Sequence, residues 1–315
     1  MSGKLNILIA GTGAIGGYFG SLLAMNPDLN VCFLSRGKAL SHYKKHPLRI
    51  CSSVHKDHKV NITVSGKVTS FKKKFDYVLV CTKSKDTENL IPEIRKVINP
   101  STQVVTFQNG LYNYRILKKH FGKSHCLQAL CKIGAEVDNK FVIKHSSLGF
   151  LVIGEENGKP SKRLTNLHDL YISSGIKTKV SDDFQNEIWI KFAWNSIFNT
   201  LSGIFPVTVD KLFENKETAK LVEQFYSEFK KIAKAYGIIF GAVAYKKIIT
   251  DSKSLGAFKS SAYQDRLKHK ELETIYFTSE LIRMAKSKKI DIPVITYLHY
   301  LSKAVSLISQ KTPLS

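Results

Sequence analysis

The sequence predicts an α/β arrangement in its first part and an all-helical one in its second. Three observations carry this. Short apolar runs recur at 5–10 (LNILIA), 30–35 (NVCFLS), 77–82 (YVLVCT) and 103–107 (QVVTF), with helix-length segments between several of them. That alternation builds a parallel sheet covered by helices. A glycine-rich turn, GTGAIG at 11–16, joins the first run to a helix-length segment. From about residue 182 the apolar spacing becomes helical and stays so almost to the end. The expected organisation is residues 1–181 as a sheet domain and 182–315 as a helical one.

In chain order, 15–25, 86–98 and 111–120 have the length and patterning of helices between strands. FVIKH (141–145) and FLVIG (150–154) read as two further short strands, followed by a loop at 154–161. In the second part, 216–237 shows helical apolar spacing with a glycine stop. Residues 261–290 read as one longer helix, and Pro293 suits the start of a last one.

The chain has 315 residues, 43% of them hydrophobic and 23% charged, ordinary values for a folded protein. No apolar run reaches the length of a membrane span, the N-terminus lacks a secretion signal, and the expected location is cytoplasmic. Five cysteines (Cys32, Cys51, Cys81, Cys126, Cys131) include no CxxC pair and no Cys/His cluster with metal-ligand spacing, so no metal is expected. The formal charge of +23 invites a nucleic-acid reading. The basic residues are mostly scattered lysines, whereas bidentate phosphate and base readers favour arginine. No recognition motif accompanies them, and no nucleic-acid partner is expected.

Gly11-Thr12-Gly13-Ala14-Ile15-Gly16 follows a strand and opens a helix. In that context the first glycine permits a tight turn, the second lets backbone approach a pyrophosphate, and the third lets helix pack on strand. The uncapped N–H groups at the helix start attract the anion. This predicts a Rossmann-type doubly wound sheet that binds a dinucleotide. The second strand ends at Ser35-Arg36, where an NAD-binding unit places an acid for the ribose 2′-hydroxyl. A hydroxyl and a guanidinium accept a 2′-phosphate instead, which selects NADP(H).

EIWIKFAWNSIFNTL (187–201) carries Lys191, Asn195 and Asn199 at four-residue steps. On an α-helix these share one face, spread over roughly 12 Å. Buried amides need partners, so the stripe is either an internal hydrogen-bond network or the wall of a polar-ligand pocket.

With these residues in view, the chain resembles the ketopantoate reductase (2-dehydropantoate 2-reductase) family over nearly its whole length. The likeness rests on GTGAIG, on Lys83 in VCTKS, on QNG at 108–110, on EIWIKFAWNSIFN, and on SSAYQDRLKHKELE with Ser261, Gln264, Asp265 and Glu273. It implies a cytoplasmic enzyme that reduces the 2-oxo group of ketopantoate with NADPH, in pantothenate and coenzyme A synthesis. It further implies Lys191 as the proton donor. Asn195, Asn199 and Ser261 become substrate contacts, and Asn109 touches both cofactor and substrate. Lys83, Glu273 and Ala135 (Glu136 if a one-residue gap applies) join the glycine loop and Arg36 as cofactor contacts. A lysine ammonium suits the role, because hydride arriving at a carbonyl carbon builds negative charge on oxygen.

The chain departs from the family pattern at Tyr112 and Tyr114, at Val209 and at Ser279. Two alternatives follow. One is a reductase of another branched 2-oxo acid; the other is an NADPH-sensing protein without catalysis. The apolar C-terminal helices could bury against each other within the chain or across a homodimer.

Overall fold

A run such as Ile7-Leu8-Ile9-Ala10 can be buried on both faces only in the middle of a sheet, and there the structure puts it. In the computed structural model, which describes residues 3–253 and 256–311, these four residues are the buried end of β1 (Leu5–Ala10). The chain continues through α1 (Ala14–Met25), β2 (Leu29–Leu34), α2 (Gly37–Tyr43), β3 (Leu48–Ser52), β4 (His58–Val60), β5 (Thr63–Ser65) and β6 (Tyr77–Val80). Next come α3 (Thr87–Arg95), β7 (Gln103–Thr106), α4 (Tyr112–Phe121), β8 (Cys126–Val137), β9 (Val142–Ile153), α5 (Lys162–Ser173) and β10 (Thr178–Val180).

Six strands lie in the order β5-β2-β1-β6-β7-β8, every neighbour parallel. Counted along the chain this is 3-2-1-4-5-6, the order of dinucleotide-binding doubly wound sheets, whose ligands sit beyond the strand ends at the switch between strands one and four. Here that switch lies between β1 and β6. β9 then joins β8 antiparallel, β3 and β4 extend the far edge, and β10 flanks β9.

The two short strands expected at 141–145 and 150–154 are one strand, β9. It pairs with β8 through register shifts at Lys132/Ile133 and Gly134/Ala135. Leu148 and Gly149, at φ 61° and 108°, bend it without ending the ladder. The β3–β4 hairpin carries no run that the sequence marks as a strand. β3 alternates buried Leu48 and Ile50 with exposed Arg49, and β4 is a three-residue edge strand with no buried residue, so neither gives a continuous apolar run.

The helices of the second part are α6 (Phe184–Trp194), a π-turn at Asn195–Asn199, α7 (Thr200–Ile204), α8 (Lys211–Glu214), α9 (Lys216–Ala235), α10 (Ala242–Tyr245), α11 (Asp251–Lys253), α12 (Ser261–Leu267), α13 (Thr274–Lys288) and α14 (Pro293–Lys311). The single helix expected over 261–290 is two. His269 takes a left-handed φ of 52°. The N–H groups of Lys268 and Lys270 both close on the Asp265 carbonyl, ending α12. Leu272 is then buried, with its N–H donated to Ser306 Oγ at 3.1 Å.

By internal contacts the chain divides into two compact units. The first is Met1–Gln108 with Asn113–Gln185; the second is Asn109–Tyr112 with Asn186–Ser315. The first is built around Ile7, Phe19, Phe33, Leu79, Val105 and Leu127. The second is built around Phe192, Phe198, Phe225, Phe229, Phe277 and Leu281. Among the described residues no helix is long and apolar enough to cross a membrane.

Candidate active site

One candidate site is the carboxyl edge of the parallel sheet. Gly11 leaves β1 at φ 110°, with its N–H on the Leu34 carbonyl at the end of β2. A Cβ there would stand 2.8 Å from Thr82 N, so the loops after β1 and β6 touch through backbone. At Gly16 a Cβ would stand 2.0 Å from the Gly11 carbonyl, which is why α1 can start so tightly over the strand.

Gly13 differs. It is the N-cap of α1, and a Cβ on it would meet nothing within 4 Å. No side chain caps the helix and no acid lies in its first turn. The loop thus offers open space next to a helix start whose first N–H groups seek an acceptor. Thr12 Oγ1 is buried beside it and has no hydrogen-bond partner among the described residues. A pyrophosphate fits this cradle on both counts, shape and polarity. Ala14 and Ile15 form the first turn.

Around the cradle, Ser35 is buried and donates its N–H to Ser65 O, while Arg36 is exposed as the N-cap of α2. Lys83 is exposed three residues beyond β6, at the head of a short 3₁₀ turn. Ala135 is farther out. β8 stops pairing with β7 at Gln128 and runs on past the carboxyl edge, where Ala135 faces His145 of β9.

A network that the sequence reading missed fastens these loops. Gln108 Nε2 donates to Thr82 O at 2.8 Å and to Thr87 Oγ1 at 2.9 Å. Thr87 Oγ1 donates to Asn113 Oδ1, and Asn113 Nδ2 donates to Ser84 Oγ at 2.9 Å. Gln108, Thr87 and Asn113 are buried. The only hint in the sequence was polar residues clustered just past strand ends.

A second candidate site is in the helical unit. Lys191 is half-buried on α6, one turn before the π-turn, and Asn195 and Asn199 are buried. The expectation of one continuous α-helical face through all three needs correction. Within the π-turn hydrogen bonds run i→i+5, so the step from 195 to 199 falls short of a full turn instead of overshooting it. Asn199 Nδ2 donates to Asn195 Oδ1 at 3.4 Å. Asn195 Nδ2 and Asn199 Oδ1 are left buried without a hydrogen-bond partner among the described residues. One donor and one acceptor are therefore unspent, next to an ammonium-bearing turn. Buried amides in that condition cost stability unless something else completes them.

Asn109 is half-buried in the same unit. A Cβ on Gly110, next in the chain, would meet Phe277 at 2.9 Å and Phe192 at 3.6 Å. The Asn109–Gly110 turn therefore lies against α13, one turn from Glu273, and against the residue following Lys191. Glu273 is half-buried as the N-cap of α13. Ser261 is exposed as the first residue of α12. Its neighbour Ser260 is buried, caps that helix through Tyr263 N, and lies 2.6 Å from Ser202 Oγ on α7. Among the departures, Tyr112 packs on Tyr276 with ring centroids 5.2 Å apart, and Val209 is fully buried in the helical core. Among the described residues no group of three or more His, Cys, Asp or Glu could hold a metal ion.

Both parts of the chain match a known family. The family model described as ketopantoate reductase PanE/ApbA matches residues 7–158, and the model of that family's C-terminal part matches 183–306. The chain belongs to the ketopantoate reductase family. The 2-dehydropantoate 2-reductase of Pyrococcus abyssi is 26% identical over 307 residues, covering 98% of this chain and 100% of its own. The crystal structure of a PanE/ApbA family ketopantoate reductase from Ralstonia eutropha JMP134 superposes with a TM-score of 0.87 at 23% identity, covering 97% and 100% of the two chains. The family fold also includes a D-mandelate dehydrogenase, solved with NADH and anilino(oxo)acetate, at TM-score 0.85 and 22% identity over 97% of this chain and 99% of that one.

Proposed function

We propose that this family member reduces ketopantoate to pantoate with NADPH. One observation carries the reading. Asn195 Nδ2 and Asn199 Oδ1 are a buried donor and acceptor lacking partners among the described residues, one and two turns beyond Lys191. A small 2-oxo acid with a carboxylate and a hydroxyl supplies an acceptor for the first and a donor for the second. The Gly13 cradle, the uncapped start of α1 and the orphaned Thr12 hydroxyl suit the cofactor's pyrophosphate, with Arg36 and Lys83 as the cations for its other phosphate charge.

When bound, the nicotinamide supplies the hydride. The chain supplies the rest. The Asn195–Asn199 pair orients the substrate, and the Asn109 turn, held by Phe192 and Phe277, adds a polar group near the same helix. The Lys191 ammonium stabilises the oxygen as charge grows on it and gives it a proton, completing the alcohol. Relatives carrying the 2-dehydropantoate 2-reductase name support the substrate.

A second reading is reduction of another branched 2-oxo acid. It is favoured by the Tyr112–Tyr276 ring pair beside the Asn109 turn and by an apolar Val209, buried in the helical core, where some family members carry an amide. Following NADPH absorbance with ketopantoate and a panel of branched oxo acids decides between the two, with NADH in place of NADPH testing the cofactor. No oxidation of either cofactor with any oxo acid refutes both readings and leaves a cofactor-sensing protein.

A further inference from the structure

Between α9 and α10 the chain turns an apolar tip into solvent. Ile239 is 80% exposed and Val243 70%, although the residues around them are anchored. The Phe240 ring stacks on Phe229 of α9 with centroids 5.9 Å apart, and Tyr245 meets Tyr226 edge-on at 5.3 Å. These rings hold the turn against the helical core and leave the two β-branched side chains outside. Gly241, between them, caps α10 from an extended backbone, and a Cβ on it would meet nothing within 4 Å.

A basic rim adjoins the tip. Residues 230–250 contain five lysines and no acid. Lys230 stands over the Tyr226 ring at 6.0 Å, and Lys246 and Lys247 follow Tyr245 directly. Lys288, at the end of α13, stands over the Tyr236 ring at 5.2 Å. All four lysines are exposed, and no ion pair among the described residues holds any of them. Two acids of the same helices are already taken. Glu280 holds Arg283 at 2.6 Å, and Glu228 accepts the N–H groups of Val294 and Ile295.

We propose that this corner docks the helical unit on an anionic lipid surface, with Ile239 and Val243 entering the headgroup boundary and the lysines on lipid phosphates. Aliphatic side chains beside a lysine rim answer both layers of such a surface, the acyl boundary and the negative headgroups. Lysine stems can lie along the apolar layer while their ammonium groups stay in water. Other occupants fit less well. The tip offers a few hundred Å² of apolar surface, far below the ~800 Å² per partner of a stable protein interface. Nucleic acid is held by arginine forks and by bases stacked on aromatic faces, whereas the two most exposed residues here are aliphatic and the rim is lysine.

The test is co-sedimentation of the full chain with vesicles of phosphatidylcholine alone or mixed equally with phosphatidylglycerol. The expected result is binding to the mixed vesicles and none to the neutral ones. Ile239→Asp with Val243→Asp should weaken that binding at least about tenfold, with circular dichroism unchanged. Lys246→Gln with Lys247→Gln should weaken it about 25-fold, about fivefold per lysine. Lys44→Gln with Lys45→Gln, in the other unit, controls for overall charge and should leave binding within about twofold. If the aspartate pair disturbs folding, Ile239→Ser alone must weaken binding at least about threefold. Equal loss in the Lys44 and Lys45 control, indifference to the Ile239 and Val243 changes, or no binding to mixed vesicles overturns the proposal. So does protein that leaves the mixed vesicles for duplex DNA added in equal mass.

Discussion

Placing one methyl group on each of two glycines in the same loop should give opposite outcomes. At Gly13 the added Cβ meets no protein atom within 4 Å, and the backbone φ of −77° suits any residue. Relief of unfolded-chain entropy favours Gly13→Ala by about 0.4–1 kcal/mol. Alanine is a poor N-cap, which opposes this by an amount on the order of 1 kcal/mol, so stability should barely change. What the methyl does meet is the pyrophosphate, if the cradle holds one. Forcing an extra methyl into a packed contact costs about 1–3 kcal/mol, which weakens NADPH binding about 5- to 150-fold.

At Gly16 the same methyl stands 2.0 Å from the Gly11 carbonyl and 2.8 Å from Cys81 Cβ, neither able to retreat. Gly16→Ala should therefore cost about 3 kcal/mol of folding stability or more, with or without cofactor. Urea unfolding and NADPH fluorescence titration of both variants separate the two effects. A Gly13→Ala protein that binds NADPH within twofold of the parent, while as stable as the parent, would refute the assignment of that space to phosphate.

Three further outcomes are expected. Lys191→Ala should lower kcat on ketopantoate by about 10²–10⁴, the worth of a general acid, while the Kd for NADPH stays put; unchanged turnover removes its role. Asn199→Ala should raise KM for the oxo acid at least about tenfold, yet shift stability by no more than about 1.5 kcal/mol, because it gives up only the 3.4 Å bond to Asn195 Oδ1 while Asn199 Oδ1 has no partner among the described residues to lose; a large loss of stability with KM unaltered means that the amide is structural. Burial, with His55 beside them, holds the pKa values of His58 and His145 below the ordinary 6.5. They pack with Tyr18 and Ser21 of α1 and with Asp57 and Lys144 nearby. The native form thus prefers them neutral, so their contribution is present above about pH 6.5 and is lost as pH falls below it. Tm should drop between about pH 7.5 and 5.5, and His58→Gln with His145→Gln should flatten that slope; a Tm rising on acidification contradicts the sign.

β1, β2, β6 and β7, with α1, α3 and α4 between or after them, could be read from the sequence because buried central strands are continuous apolar runs joined by helix-length segments. The short β3, β4 and β5 and the helix α2 could not: they are three to seven residues long and none carries a continuous apolar run. The kink at Leu148–Gly149 made one strand look like two. In the same way Asp265 and His269 end α12 through main-chain hydrogen bonds, which leave no gap in the helical spacing of side chains.

Sequence by itself determined where the glycine loop had to be and which helix carries Lys191 with two amides, since both are local patterns of residue type. Tertiary structure alone decided the rest. Packing of Ile197, Phe198 and Leu201 into the helical core accompanies a π-turn that leaves two amide groups unspent. Long-range hydrogen bonds bring Gln108, Thr87 and Asn113 together in the loops beyond β6 and β7. The spacing of α14 left open what its apolar residues meet, and the fold buries Ile295 and Leu298 while leaving Tyr297, Leu301 and Ile308 exposed. Periodicity reveals that a face is apolar, but what that face is pressed against depends on partners tens of residues away.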